Sequence, residues 1–279
     1  MITRNLVLIC LILISCGKSD KVLLRLNLDE SGHYKQKISF QTKGKLDILT
    51  KSLDFNLNKQ SHILCQVKQK EEDLYRMAIY FDTLIIKMAL NNQKKFEYQL
   101  GETSSKQAIN DLPISIDLTD RSKLKRVSFE DEIEEVGVFL KDYFFNNHFD
   151  YIYSFYPEKP VEEGDQWTIL SKVKNIALEY NFPLEFELIS IDSDKARIKG
   201  QCRLADVTYS SYNALIDDKV KYKISINNQS DYLVDVNSGT ILWADIQESV
   251  IGECILTEKK MDFEIPIPIQ LSTRVKINY

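Results

Sequence analysis

The sequence predicts a mainly β, antiparallel fold with one central amphipathic helix near residues 128–147. The sheet is expected either as an open half-barrel or as two similar β meanders. Three observations lead there. Apolar and polar residues alternate with period two along most of the chain, turn-forming clusters separate the alternating runs, and a single stretch changes to helical spacing.

The alternation is explicit in Leu24-Arg25-Leu26-Asn27-Leu28, Leu53-Asp54-Phe55-Asn56-Leu57 and Leu184-Glu185-Phe186-Glu187-Leu188. It is longest in Val220-Lys221-Tyr222-Lys223-Ile224-Ser225-Ile226. In a strand, successive side chains point to opposite faces, so each run reads as a strand with one buried and one wet face. Lys70-Glu71-Glu72-Asp73, Asn91-Asn92, Asp217-Asp218, Asn227-Asn228 and Asn237-Ser238-Gly239 supply turn chemistry between runs. Their close spacing favours hairpin connections and antiparallel pairing.

The helix is expected to begin at Ser128, followed by Phe129-Glu130-Asp131 and by further acids at 132, 134 and 135. A hydroxyl cap and early carboxylates complement the positive end of a helix dipole. Ile133, Val136, Leu140, Tyr143 and Phe144 then fall on one face, broadened by Phe139, Phe145 and Phe149. The acids therefore read as dipole compensation rather than a metal or substrate site. Near the end, Pro266 and Pro268 lie two apart and would remove ladder donors on one side of a strand, which predicts a terminal edge strand.

A weak internal repeat is visible. Gly32-His33-Tyr34, Leu53 to Leu57 and Ile63 to Val67 correspond to Gly164 to Trp167, Leu184 to Leu188 and Ala196 to Gly200. It suggests a β domain over residues 22–279, with related halves at 22–127 and 157–279 flanking the helix.

The start of the chain carries different chemistry. Arg4 precedes an uninterrupted apolar run from Leu6 to Ile14, and small Ser15 stands before Cys16. The run is far short of the roughly 20 residues a membrane-crossing helix needs, so it reads as an export signal. Leu13-Ile14-Ser15-Cys16 resembles the lipobox of bacterial lipoproteins. The resemblance implies cleavage between Ser15 and Cys16 and a diglyceride on the Cys16 thiol. Two acyl chains make a stable anchor, at about 0.8 kcal/mol per buried methylene. Residues 16–21 then form a lipidated N-terminus and tether. Gly17, in place of an Asp, favours the outer membrane within the cell envelope.

Composition narrows the partners. The formal net charge of −5 becomes −6 when residues 1–15, with Arg4 and no acid, are removed. A mildly acidic chain without a Lys/Arg cluster is poorly suited to nucleic acid, which demands phosphate neutralisation. Cys65, Cys202 and Cys254 read as small buried hydrophobes, with one disulfide as the alternative. His33, His62 and His148 lack zinc-ligand spacing, and nucleophile-elbow, P-loop and dinucleotide motifs are missing from the sequence. Asp235-Val236-Asn237-Ser238-Gly239 reads as a hairpin turn rather than a calcium loop, because its glycine falls at the fifth position and Ile246 stands where a ligating Glu belongs. No catalytic residue, metal or cofactor is expected.

The most distinctive stretch is Tyr156-Pro157-Glu158-Lys159-Pro160-Val161-Glu162-Glu163-Gly164-Asp165-Gln166-Trp167. It resembles a family of bacterial lipoproteins of unknown function carrying the motif F/Y-P-x-K-P-V-x-x-G-D-x-W. Gly32-His33-Tyr34 and the run from Tyr232 to Ile241 fit that family's other habits. The resemblance implies an exported lipoprotein with a large β domain and transfers no catalytic residue. The motif itself reads structurally: prolines keep the segment extended, Gly164-Asp165 turns the chain, and Trp167 anchors the next strand.

The expected function is a non-catalytic, membrane-anchored binding or carrier module for a lipid or other apolar ligand. The alternative is an envelope interaction or scaffold protein with a packed core and a protein partner.

Overall fold

The computed structural model describes residues 21–48, 51–100, 114–128, 150–174, 179–213, 218–258 and 263–279. Strands β1 (His33–Ile48), β2 (Lys51–Glu71), β3 (Leu74–Leu90), β4 (Gln93–Leu100), β5 (Ile114–Thr119) and β6 (Leu124–Ser128) come first. A single helical turn, α1 (Asp150–Tyr153), follows. Strands β7 (Gln166–Lys174), β8 (Glu179–Asp192), β9 (Lys195–Asn213), β10 (Asp218–Asp235), β11 (Ile241–Glu258) and β12 (Phe263–Asn278) complete the chain.

All twelve strands belong to one sheet in the order β6-β5-β3-β2-β1-β12-β11-β10-β9-β8-β7, with β4 paired to β3 off this path. Every ladder is antiparallel. Each half of the chain meanders, and the two meanders are hydrogen-bonded together where β1 meets β12, from Lys37↔Asn278 to Leu46↔Ile269.

The expected fold class therefore needs correction. The β content and antiparallel pairing are present, but the strands form one continuous all-β sheet instead of two bodies flanking a helix. Ser128, expected to cap the helix, is instead the last residue of β6 and pairs with Ser115. Residues 129–149 lie outside the described residues, and the only α-helix among the described residues is the four-residue turn α1.

Further expectations change. Asn227-Asn228, expected as a turn, lies inside β10 and is paired on both sides. β12 is a central strand, not an edge. Its prolines nevertheless obey the donor logic that suggested an edge. β1 pairs with β12 only as far as Ile269, whereas β11 continues past Pro268 and Pro266 to Phe263. The missing donors thus fall where one side of β12 has no ladder partner to lose. Leu24 to Leu28 alternates in burial as a strand would, yet joins no ladder; Val22↔Val161 is an isolated bridge. The repeat also fails in detail. Leu53–Leu57 and Ile63–Val67 share β2, while their counterparts lie on β8 and β9.

The sheet curls into a trough. Leu26 N–H donates to Asp120 O in the β5–β6 turn, and Asn27 N–H donates to Ser238 O in the β10–β11 turn. In a flat sheet β5 and β10 would stand roughly 30 Å apart, six strand spacings at about 4.8 Å. Two adjacent residues reach both only because the sheet bends round them. Segments 22–28 and 152–161 fill that end, burying Leu24, Leu26, Leu28, Ile152, Phe155 and Tyr156 against the inner face.

Candidate functional site

The inner face of the trough is apolar because residues in one phase of neighbouring strands point into it. Phe40, Leu57, Ile86, Ile224, Ile246, Val250, Leu271 and Val275 are all buried. Burying such side chains is the main drive for folding, at roughly 25 cal/mol per Å².

The plug at one end is fixed by specific bonds. Tyr75 Oη donates to Leu26 O at 2.9 Å, Tyr156 Oη donates to Gly239 O at 2.5 Å, and Tyr153 Oη donates to Gln36 Oε1. Arg25 donates to Pro157 O and Glu158 O and pairs with Asp120. Gly239 is required there: its φ is +71°, and a Cβ would lie 1.9 Å from Arg25 O. Burial raises the hydroxyl pKa values of Tyr153 and Tyr156, so both remain neutral donors. Beside the plug lies a small apolar cavity of about 50 Å³, lined in part by Leu28, Ile63, Met77 and Tyr153.

The distinctive motif lies in this plug. Trp167 Nε1–H donates to Phe155 O at 2.8 Å, and its ring stacks on Phe186 with centroids 5.9 Å apart. Phe155 is itself stacked between Tyr156 and Tyr232. Gly164, at φ +86°, makes the expected turn, and the Asp165 carboxylate accepts from Glu162 N–H at 3.0 Å. These contacts give Trp167 a structural anchoring role.

Farther along the trough, one rung of the inner face is polar. The register aligns Thr42, Thr273, Glu248, Asn228 and Cys202 across five neighbouring strands. Thr42 and Thr273 hydroxyls are 3.2 Å apart. Tyr180 Oη donates to Glu248 Oε1 at 2.6 Å, and Asn228 Nδ2 donates to Glu248 Oε2 at 3.3 Å. Gln36, at the plug, and Thr42 are six residues apart on β1, about 20 Å at strand rise. Lys59 stands one rung nearer the plug, 3% exposed, with Nζ 5.4 Å from the centre of the Phe40 ring. Burial depresses its pKa to about 7.

Sequence reasoning missed both Glu248 and Lys59. The signal was phase: Glu248 is in step with Ala244, Ile246 and Val250, and Lys59 with Leu57 and Ile63. Cys65, Cys202 and Cys254 are free thiols on β2, β9 and β11, so none forms a disulfide with another. Burial raises Cys65 to about 12 and the other two to about 11, which leaves them poor nucleophiles. Asp235 Oδ1 accepts from Ser238 N–H at 2.7 Å and Ser238 Oγ at 2.8 Å, closing the β10–β11 turn. His33 and His62 lie on β1 and β2, while Ser15, Cys16 and His148 lie outside the described residues. Among the described residues there is no group of three or more His, Cys, Asp and Glu side chains able to hold a metal.

The fold is a single curled antiparallel sheet with an apolar, buried inner face and a polar outer face. The sequence profile of a family of unknown function (DUF6263) matches residues 133–241, a stretch that includes Tyr156 to Trp167. No curated protein matches the chain. Among solved structures, one described as lipid–protein interactions in lipovitellin superposes with a TM-score of 0.52 at 9% identity, covering 90% of this chain and 25% of that one. The chain thus spans a quarter of the lipovitellin chain, and the likeness is one of fold. An outer membrane channel from Pseudomonas putida F1 covers 91% of this chain and 97% of its own, at 7% identity and a TM-score of 0.22, too low to bear on the fold.

Proposed function

We propose that this protein is a lipid-anchored envelope protein whose trough takes the apolar part of a lipid, without catalysis. The observation that carries the reading is the inner face: buried apolar side chains continue from strand to strand, interrupted by the polar rung and by Lys59, Ser61 and Ser230. An acyl chain is the simplest ligand for an elongated apolar surface, and the rung offers a level at which its ester, amide or hydroxyl can hydrogen-bond. The 50 Å³ cavity at the plug is too small for such a chain and the inner face beyond it is buried, so this reading requires that face to open to admit the ligand. The lipovitellin likeness, to a structure described by its lipid–protein interactions, agrees with this reading.

The anchor rests on Leu13 to Cys16, and with it the envelope location and outer-membrane facing. Cys16→Ala should leave an uncleaved or mislocalised precursor; normal processing and membrane partition of that variant would contradict the anchor. The ligand is tested by organic extraction and mass spectrometry of protein produced without its lipid anchor. One lipid class at near-equal stoichiometry is expected. Lipid-free protein, also after incubation with vesicles, would overturn the carrier reading.

An interaction or scaffold module is the second reading, favoured by the small free volume beside the plug. It expects a specific protein partner on crosslinking in intact cells and a trough that remains lipid-free.

A further inference from the structure

The outer face of the sheet carries a feature that neither reading uses. Two depressions, of about 490 and 350 Å³, share Gln229 and Gln247 and so form one groove across the strands. Its floor is an outward rung placed by the register: Gln41, Arg274, Gln247, Gln229, Gln201 and Glu185 stand side by side on β1, β12, β11, β10, β9 and β8. Four of the six are glutamines. Trp243, 38% exposed, stands at one wall.

The exposed charges of the groove are close to balance: Glu185, Glu187, Asp231 and Asp245 face Lys43, Lys199 and Arg274, with Arg197 beside the groove. Arg274 grips Asp245 through two bonds of 3.0 and 2.6 Å, and Arg197 grips Asp231 through two of 3.1 and 2.7 Å. Such bidentate pairs hold their side chains in fixed positions and cancel charge locally. An anionic or cationic partner therefore has no net attraction to follow. The backbone groups beneath belong to central strands engaged on both sides, so a peptide cannot add as a further strand. What remains for recognition is a row of amides, with donors and an accepting oxygen each, one Gln247 donor being engaged by Asp245, and one aromatic face farther along the groove.

We propose that this groove is a binding site for a neutral, extended glycan. Sugar hydroxyls both donate and accept, as the Gln rung does, and the apolar face of a pyranose ring stacks on an indole. Successive Gln side chains are about 4.8 Å apart, one strand spacing, so neighbouring amides can engage adjacent hydroxyls of one residue or of the next. The site is independent of the trough, on the opposite face of the same sheet.

The test uses the purified full chain on a printed array of neutral and acidic glycans, followed by calorimetry with the best neutral oligosaccharide. Binding of a neutral glycan with a change in tryptophan emission is expected. Gln229→Ala/Gln247→Ala and, separately, Trp243→Ala should each weaken it by about tenfold or more, equivalent to 1.4 kcal/mol. The unfolding midpoint of the double variant should stay close to that of the parent, which separates lost contact from lost fold. Failure of every neutral glycan to bind, preference for acidic glycans or peptides, or undiminished binding by the double variant would overturn the proposal.

Discussion

The two faces of this sheet are made by the same strands and have opposite chemistry. On β11, Ala244, Ile246, Glu248 and Val250 point inward and are buried, while Trp243, Asp245 and Gln247 point outward and line a groove. A step of one residue moves a side chain from an apolar trough to a polar surface. Polar groups consequently carry different weight on the two sides. Asp245 on the outer face, its side chain 17% exposed, has a guanidinium partner, whereas Glu248 is 6% exposed and accepts hydrogen bonds from Tyr180 and Asn228. The contrast says which substitutions should matter.

The largest effect is expected at the plug. Phe155→Ala removes a fully buried ring stacked on Tyr156 and Tyr232, and should cost about 3–5 kcal/mol in denaturant unfolding. A loss below 1 kcal/mol would mean that the plug does not stabilise the trough.

Lys59→Met should change how stability depends on pH. Its amine has a folded pKa of about 7 against 10.5 in the unfolded chain. Between those values the unfolded state binds more protons, so stability rises with pH across that window. The cost of the buried ammonium is fully present below pH 7 and relieved towards pH 10.5. Relative to the Met variant, the parent should therefore gain stability as pH rises from about 7 to 10.5. Parallel pH–stability curves for the two proteins would contradict the buried placement.

On the polar rung, Glu248→Leu removes the acceptor of two buried hydrogen bonds and should cost about 1–3 kcal/mol. The smallest effect belongs to the outer face. The Arg274 hydrogen bonds hold the Asp245 carboxyl below its usual 3.8. Its contribution is present above that value and lost as pH falls through the lowered folded one. Asp245→Asn should shift the unfolding midpoint only slightly at neutral pH, and not measurably in high salt. A shift as large as that of Glu248→Leu would erase the distinction between the faces.

Much of one face was legible in sequence, and little of how the faces are assembled. Alternation places Phe55, Leu57, Ile224 and Ile226 correctly, because period two is a local property of a strand. The β1–β12 ladder joins residues more than two hundred positions apart, and no local pattern announces it. Leu24 to Leu28 shows why alternation is insufficient: its burial is strand-like, but the neighbours that would form a ladder are turns and a plug. Ser128 has the chemistry of a helix cap, yet pairing of Leu124 to Ser128 with β5 holds it in a strand. The motif around Trp167 was legible as an extended segment, a glycine turn and an anchor, since each part follows from Pro, Gly or a large ring. The outer Gln rung draws each member from a different strand, so it exists only in the register.

The central claim is that the inner face, and not the outer, receives lipid. A fatty acid bearing a photoactivatable diazirine at its tail, incubated with the protein and illuminated, reports this at residue level by tandem mass spectrometry. Adducts are expected on inward residues of neighbouring strands, such as Phe40, Ile226 and Leu271. Adducts confined to outward residues such as Trp243 and Gln247, or none above an unfolded control, would contradict it.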